Sequence, residues 1–242
     1  MLDAAIKGFH EYDYRITWRL APTELRKVSE LRADVFCREL GWTGTREDRV
    51  EWDEFDHDST HIAVLDGQSE VVGAVRLIAS RAPWMLDTVF SALAPAGRIT
   101  RAADAAEASR LAVHRHWRGK RLGNGRRACD LLYKAAYVYC RINGIRYLYM
   151  VVSDTVLKHM QRSGLPCREL GAPRQMPDGV LASTVVLDWT RIREIPTIAD
   201  WYASGWQMPP ACQHGAPDCA LSHRPPRLVA SSMRHPVVEA SA

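Results

Sequence analysis

No stretch of the 242-residue sequence approaches eighteen consecutive apolar residues, and its first fifteen, MLDAAIKGFHEYDYR, hold no apolar segment behind a basic start. The pattern of a membrane-spanning helix and that of an export signal are both missing, so a cytoplasmic protein with no membrane partner is the expectation. Cysteine is scarce as well. Cys37, Cys129, Cys140, Cys167, Cys212 and Cys219 fall at irregular intervals, so no disulfide framework emerges and free thiols with no bound metal are expected. Cys212, His214, Cys219 and His223 form a set of four potential ligands, but their spacing is not that of a zinc finger. Charge of one sign is also in short supply: 32 Lys and Arg against 28 Asp and Glu leave a net +4, too little to indicate a nucleic-acid partner. No segment repeats.

What is present is the composition of a folded enzyme. Hydrophobic residues make up 47% and charged residues 25% of a chain long enough to bury a full core. The reading is one domain over residues 1–207, followed by a Pro-rich mobile tail over 208–242 in which no periodicity survives.

Residues 12–21 mix aromatic and β-branched positions and read as a first strand. Pro22 and Thr23 then offer a helix start, with Leu25, Val28, Leu31, Val35 and Phe36 at helical spacing and Gly41 where a C-terminal cap belongs. The acidic stretch EDRVEWDEFDHD reads as a loop entering a strand. Two β-rich runs in HIAVLDGQSEVVGAVRLI flank Asp66-Gly67-Gln68-Ser69, which is hairpin chemistry. A short helix is expected over MLDTVFSAL, a central strand over EASRLAVH, a long helix from Gly123 closing at Asn143-Gly144, and a buried strand over RYLYMVVS. A helix over SDTVLKHMQRSG and a last strand over GVLASTVVLDW complete the pattern. Strand, glycine turn, helix, strand is the crossover unit of an α/β fold.

Between the central strand and the long helix stands Lys120-Arg121-Leu122-Gly123-Asn124-Gly125. Glycines there let the backbone approach a ligand, and the helix N-terminus presents free N–H groups to an anion. Arg115, Arg118, Arg126 and Arg127 add charge suited to a pyrophosphate or a phosphopantetheine arm, although a solvated basic loop has the same composition. The segment LAVHRHWRGKRLGNG resembles the cofactor loop of the Gcn5-related acyltransferases, with Lys120 where that pattern has Arg or Gln. The resemblance implies an α/β (α+β) three-layer sandwich with a central mixed, twisted sheet flanked by helices. It also implies a thioester held between the strands carrying Ser109 to Val113 and Tyr147 to Val152.

Five further pieces occur in order: LRADVFCRELGW, EWDEFD, VVGAVRLI, APWMLDTVFSAL and EASRLAVH. In that order and spacing they resemble the acyl-homoserine-lactone synthases over about residues 30 to 114, and MVVSDTVLKHMQRSGLP extends the likeness to about residue 190. The resemblance implies that the chain acylates the amine of S-adenosylmethionine from an acyl carrier protein or coenzyme A thioester, and then closes a lactone. Both compounds would be consumed as substrates, with no cofactor. The family's functional positions fall on Arg32, Phe36, Trp42, Asp53, Asp56, Arg76, Glu107 and Arg110, and Ser109 matches the family's Ser-Arg pair.

S-adenosylmethionine carries an ammonium, a carboxylate and a sulfonium, so its pocket needs acidic, basic and aromatic groups together. Asp53 and Asp56 suit the cationic groups, Arg32 or Arg76 the carboxylate, and Trp42 or Phe36 the sulfonium. Glu107 is the expected base, with Arg110, Arg76 and Asp53 completing the catalytic set. The ordinary roles of the same residues are plainer: Phe36 lies on the apolar stripe of its helix, and Trp42 beside Gly41 can cap a hydrophobic end. Arg32 lies near that buried stripe, where an arginine needs a partner, and Asp53 or Asp56 would supply it.

Strict pleating puts Glu107 and Arg110 on opposite faces, so a β-bulge is expected near Ser109 to Leu111. Leu148, Met150, Val151, Val152 and Ser153 are the expected acyl pocket. By the family resemblance, methionine rather than threonine at position 150 points to an unsubstituted, branched or aromatic acyl chain. Arg115, Arg118, Lys120, Arg121, Gly123 and Gly125 are the expected phosphopantetheine or carrier contacts. Two rival readings stand beside this one: a Gcn5-type N-acyltransferase acting on another amine, and a binding protein that keeps the fold without turnover.

Overall fold

The computed structural model describes residues 6–122 and 125–205. The residues expected to form a tail, with their Cys and His set, lie outside that range. The N-terminal hairpin is β1 (Gly8–Glu11) and β2 (Tyr14–Thr17), followed by helix α1 (Pro22–Arg32) and a π-helical continuation over Ala33–Glu39. Strands β3 (Ser59–Leu65), β4 (Val71–Ala79) and β5 (Ala105–Val113) lead into helix α2 (Ala128–Ile142) and strand β6 (Tyr147–Ser153). Helix α3 (Asp154–Arg162), strands β7 (Cys167–Glu169), β8 (Arg174–Gln175) and β9 (Leu181–Asp188), and helix α4 (Pro196–Ala203) complete the order.

The strands form one mixed sheet in the order β1-β2-β3-β4-β5-β6-β9-β7, with β8 also paired to β9. Every pairing is antiparallel except β5 with β6, the pair joined by the α2 crossover. Side-chain alternation gives the sheet two buried faces. Ile62, Val64, Val72 and Val75 join the main core beneath α2, while Ala63, Leu65 and Ala74 meet Val28 and Leu31 of α1 and Val35 of its π-helical continuation. The layers are helix, sheet, helix, as expected.

The turn expected at Asp66-Gly67-Gln68-Ser69 is present: Asp66 accepts hydrogen bonds from the backbone N–H groups of Gln68 and Glu70, and Ser69 takes φ 61°. Gly41, at φ 65°, ends the first helical run where a cap was expected. Three elements differ. Residues 12–21 are not one strand, because Tyr12 enters the left-handed region at φ 54° and the chain reverses in a two-residue loop between β1 and β2. The expected helix over 85–93 is two separate 3-10 turns, Met85–Asp87 and Ser91–Leu93, divided by Thr88 in a non-helical conformation. Helix α2 begins at Ala128 rather than Gly123, capped where the Asp130 carboxylate accepts from the Arg127 N–H. Strands β7 and β8 and helix α4 are too short to have left a periodic signal.

The N-terminal hairpin is fastened to α2 and the C-terminal helix by a buried ion pair. Lys134 is fully buried, with its ammonium 2.6 Å from the Glu11 carboxylate, which also accepts from the indole N–H of Trp201 at 2.9 Å. Removing one charge leaves the other desolvated without a counter-ion. Glu11→Gln is therefore expected to cost about 3 kcal/mol in urea denaturation, with most of it recovered when Lys134→Met is added. Equal stability of the wild type and the single variant would show that the pair contributes nothing.

Candidate active site

The acidic stretch 47–58 leaves Glu47, Arg49 and Val50 exposed but buries Glu51, Phe55 and Asp56 before β3 begins. It winds into a 3-10 turn, Glu54–Asp58, because Asp53 caps it by accepting from the Phe55 N–H while the Asp56 carboxylate accepts from the Asp53 N–H. This reciprocal cap turns Asp53 and Asp56 inward together. There they meet three arginines from three different elements, in a closed ring of alternating charge.

Arg32 at the end of α1 donates from Nε to Glu51 at 2.5 Å and from both terminal nitrogens to Asp56 at 2.6 and 3.0 Å. Arg76 of β4 donates to Asp56 at 2.8 Å and pairs closely with Asp53. Arg110 of β5 donates to Asp53 at 2.7 Å and to Glu51 at 2.9 Å. The circuit Arg32–Asp56–Arg76–Asp53–Arg110–Glu51 balances three positive against three negative charges. It is dry at one end, where the side chains of Arg76 and Asp56 have no exposure. It opens at the other, where Asp53 is 21% and Arg110 11% exposed.

Arg110 reaches the ring because the strand is irregular. Arg76 pairs with Ser109 and Ala74 with Ala112, so Val75 alone faces both Arg110 and Leu111. That is the bulge expected near Ser109 to Leu111, and Arg110 sits in it at φ 51°. A left-handed arginine costs about 1 kcal/mol or more, and its two carboxylate partners and the Phe36 ring, 5.4 Å from its guanidinium carbon, offset the strain. Glu107, Ser109 and Arg110 thereby project from one face. The Ser109 hydroxyl accepts from Arg76 Nε at 2.9 Å.

Glu107 is buried, and its two oxygens accept from the backbone N–H groups of Met85 at 2.7 Å and Leu86 at 2.9 Å. Met85 also sets its sulfur 3.2 Å from Arg76, so one residue spans the glutamate and the ring. Burial pushes the Glu107 carboxyl up to about 7, opposed only in part by those two N–H donors. Burial also works against the charged form of Asp56, but the guanidinium groups of Arg32 and Arg76 overcome it and hold this carboxyl well below the usual range. His61, against Asp56 and Trp52, is pushed down to about 4 by burial and is neutral at pH 7.

Phe36 and Trp42 stack at 6.2 Å between centroids, with Trp42 46% exposed at the open side. The expected acyl-pocket residues divide between the two faces of the sheet. Leu148, Met150 and Val152 pack into the main core under α2, whereas Val151 joins Tyr149, Trp84 and Met85 on the face of Glu107. Ser153 caps α3, accepting from the Val156 N–H. Strands β5 and β6 pair only from Ala105↔Tyr147 to Ala108↔Met150, and the pairing stops there.

The described residues of the basic segment are held by local contacts. Arg121 bridges to Arg127 and donates to the Gly125 carbonyl, Arg118 pairs with Glu39, and Lys120 lies 4.8 Å from the Trp117 ring centre. Arg115 is exposed, Gly125 precedes α2 by three residues, and Gly123 lies outside the described residues. Sequence reasoning missed Glu51, which closes the ring, and Met85 and Tyr149, which flank Glu107. Glu51 stood in the acidic run and carried the signal of an acid two residues before Asp53, but nothing in its spacing set it apart from Glu47 or Glu54.

Comparison with known proteins bears on the fold and the family. The family model for autoinducer synthases matches residues 18–194. An acyl-homoserine-lactone synthase of Aeromonas salmonicida is 32% identical over 146 residues, 60% of this chain and 70% of the relative. Among solved structures, BjaI, a CoA-dependent acyl-homoserine lactone synthase solved with SAM and isopentyl-CoA, is 27% identical with a TM-score of 0.63, covering 77% of this chain and 86% of its own. The AHL synthase LasI is 24% identical with a TM-score of 0.64, covering 78% and 96% respectively, a likeness of fold.

The position of Glu107 makes stability depend on pH. From its ordinary value of 4.5 up to about 7 the folded protein keeps a proton on Glu107 that the unfolded chain has lost. That contribution is complete below pH 4.5 and is lost as pH rises through 7. His61 runs in the opposite sense between about 4 and 6.5, since only the unfolded chain takes up that proton. Comparison of the wild type with Glu107→Gln cancels the histidine. The stability of the wild type relative to the variant is expected to fall by up to about 3 kcal/mol between pH 5 and 8 in urea denaturation. A flat difference would show that Glu107 titrates as an ordinary carboxylate.

Proposed function

The chain belongs to the autoinducer synthase family, and from that premise we propose that the open end of the charged ring binds S-adenosylmethionine and that Glu107 deprotonates its amine. The protein is an acyltransferase that makes an N-acyl-homoserine lactone from S-adenosylmethionine and an acyl thioester, releasing methylthioadenosine. The observation that carries the site assignment is a single one: a buried carboxylate poised near neutrality on the same sheet face as a ring that presents both charges to one opening.

Arg32 and Arg76 are enclosed and fully engaged, so their task is to hold Asp56, Asp53 and Glu51 in place. The accessible pair, Asp53 and Arg110, takes the substrate's ammonium and carboxylate, and the exposed face of Trp42 takes the sulfonium. Glu107, its carboxyl pushed by burial to about 7, removes one proton from the ammonium. The freed amine attacks the thioester carbonyl and a C–N bond forms; collapse of the tetrahedral adduct breaks the C–S bond, the leaving thiolate takes the second proton from the adduct nitrogen, and Glu107 releases the first to solvent. The substrate carboxylate then attacks its own γ-carbon and expels neutral methylthioadenosine. That step is unimolecular and needs positioning more than acid or base.

The donor thioester approaches where β5 and β6 cease to pair, with Tyr149 and Val151 beside Glu107 as the acyl wall. The basic turn carrying Arg115, Arg118, Lys120 and Arg121 suits the phosphates of coenzyme A or an acidic carrier protein. Both substrates are cytoplasmic metabolites, and no described helix is long and apolar enough to cross a membrane, which supports a cytoplasmic location.

Mass spectrometry after incubation with S-adenosylmethionine and a panel of acyl-coenzyme A and acyl-carrier thioesters is expected to detect one lactone together with methylthioadenosine. Glu107→Gln should lower kcat at least a hundredfold, while the wild-type rate rises with pH through about 7. At a hundred times its Kd, S-adenosylmethionine should stabilise both the wild type and Glu107→Gln by about 2.7 kcal/mol, and Asp53→Asn less. Near-normal turnover by Glu107→Gln would remove the glutamate from its role. Unaltered ligand stabilisation in Asp53→Asn would move the pocket elsewhere.

A further inference from the structure

Away from the charged ring, on the other face of the sheet, a second group of polar side chains gathers where α2 and α3 meet. Cys129 and Asp130 lie in the first turn of α2, and His159 lies in the second half of α3. The Cys129 sulfur is 2.9 Å from His159 Nε2, and with a carboxylate oxygen of Asp130 the three ligand-type atoms lie within 4.8 Å of one another. Cys129 and His159 are half-buried and Asp130 is buried, so the group is neither a surface cluster nor sealed from solvent.

The carboxylate is already fixed in orientation. One oxygen accepts from the Arg127 N–H at 2.8 Å and the other from the Ser163 hydroxyl at 2.9 Å, which leaves a lone pair on each oxygen for a further partner. The Tyr133 ring, 6.2 Å from that of His159, shields one side. Burial pushes the Cys129 thiol up to about 11, so by itself it is no nucleophile. A thiolate, an imidazole and a carboxylate together are the donor set of zinc rather than of magnesium or calcium. A tetrahedral zinc ion holds sulfur and nitrogen ligands about 3.5 Å apart, within the span these atoms occupy.

We propose that Cys129, Asp130 and His159 bind one divalent ion of the zinc class, with water in the fourth position. Binding expels the Cys129 thiol proton to solvent, forms one bond each to sulfur, nitrogen and oxygen, and ties α3 to α2. Thirty positions separate Cys129 from His159, so no short motif marks the site, and the expectation of no metal rested instead on the irregular cysteine intervals and on the spacing of Cys212, His214, Cys219 and His223.

Cobalt(II) is the probe, because a thiolate ligand gives it a charge-transfer band in the near ultraviolet. Full-length protein stripped with a chelator and titrated with Co2+ is expected to develop that band to one equivalent. Cys129→Ser should abolish it, and Ser163→Ala, which keeps every ligand, should weaken Co2+ binding at least tenfold. If circular dichroism shows Cys129→Ser to be unfolded, His159→Asn takes its place and should likewise abolish the band. No band in the wild type overturns the site. So does a band that survives Cys129→Ser and disappears instead when Cys212 and Cys219 are both changed to Ser, which would assign the metal to the C-terminal segment.

Discussion

The closed circuit of three guanidinium groups and three carboxylates is the constraint on which the rest of this molecule depends. No member can be buried alone, because an isolated ion in a protein interior costs far more than any one contact returns. Each arginine is made tolerable by two carboxylates, and each carboxylate by two arginines. The first helix, the capped turn at Asp53, and strands β4 and β5 must therefore all arrive at one place. The helix-sheet-helix layering supplies the enclosure, and the circuit decides which sides of the elements meet.

Burial acts on every acid in this region, yet the outcomes diverge. Asp56, faced by two guanidinium groups, is held as a carboxylate far below the usual range, while Glu107, served by two backbone N–H groups, rises to about 7. Backbone donors orient a carboxylate but return less to its charged form than a full counter-ion does. The result is a frame of paired charges and, beside it, one carboxyl poised near neutrality. Met85 joins the two, through its N–H on one side and its sulfur on the other.

Much of this was legible in the residues. Two β-rich runs around Asp66-Gly67-Gln68-Ser69 marked the hairpin, Gly41 marked a helix end, and an odd offset between Glu107 and Arg110 required a bulge that is there. The acidic run was harder: charge patterning alone reads it as solvated, and only the reciprocal capping of Asp53 and Asp56 turns it inward. Glu51 escaped because its importance lies in two partners, 19 positions before it and 59 after it, and no local period reports such distances. Likewise the division of Tyr149 and Val151 from Leu148 and Met150 is a matter of which face looks toward Glu107. The registers of β4 on β5 and of β5 on β6 determine that, not the apolar character of the run.

The bulge at Arg110 bears on how the sheet assembles. A slip of one residue between β4 and β5 would swing Arg76 to the far side and leave Asp56 facing apolar neighbours without one of its counter-charges. Hydrophobic strands such as Val71–Ala79 are nearly indifferent to such a slip, since both of their sides are greasy. The ionic circuit thus penalises registers that apolar packing alone would tolerate. The six side chains that close the ring in the folded protein thereby help to select its topology.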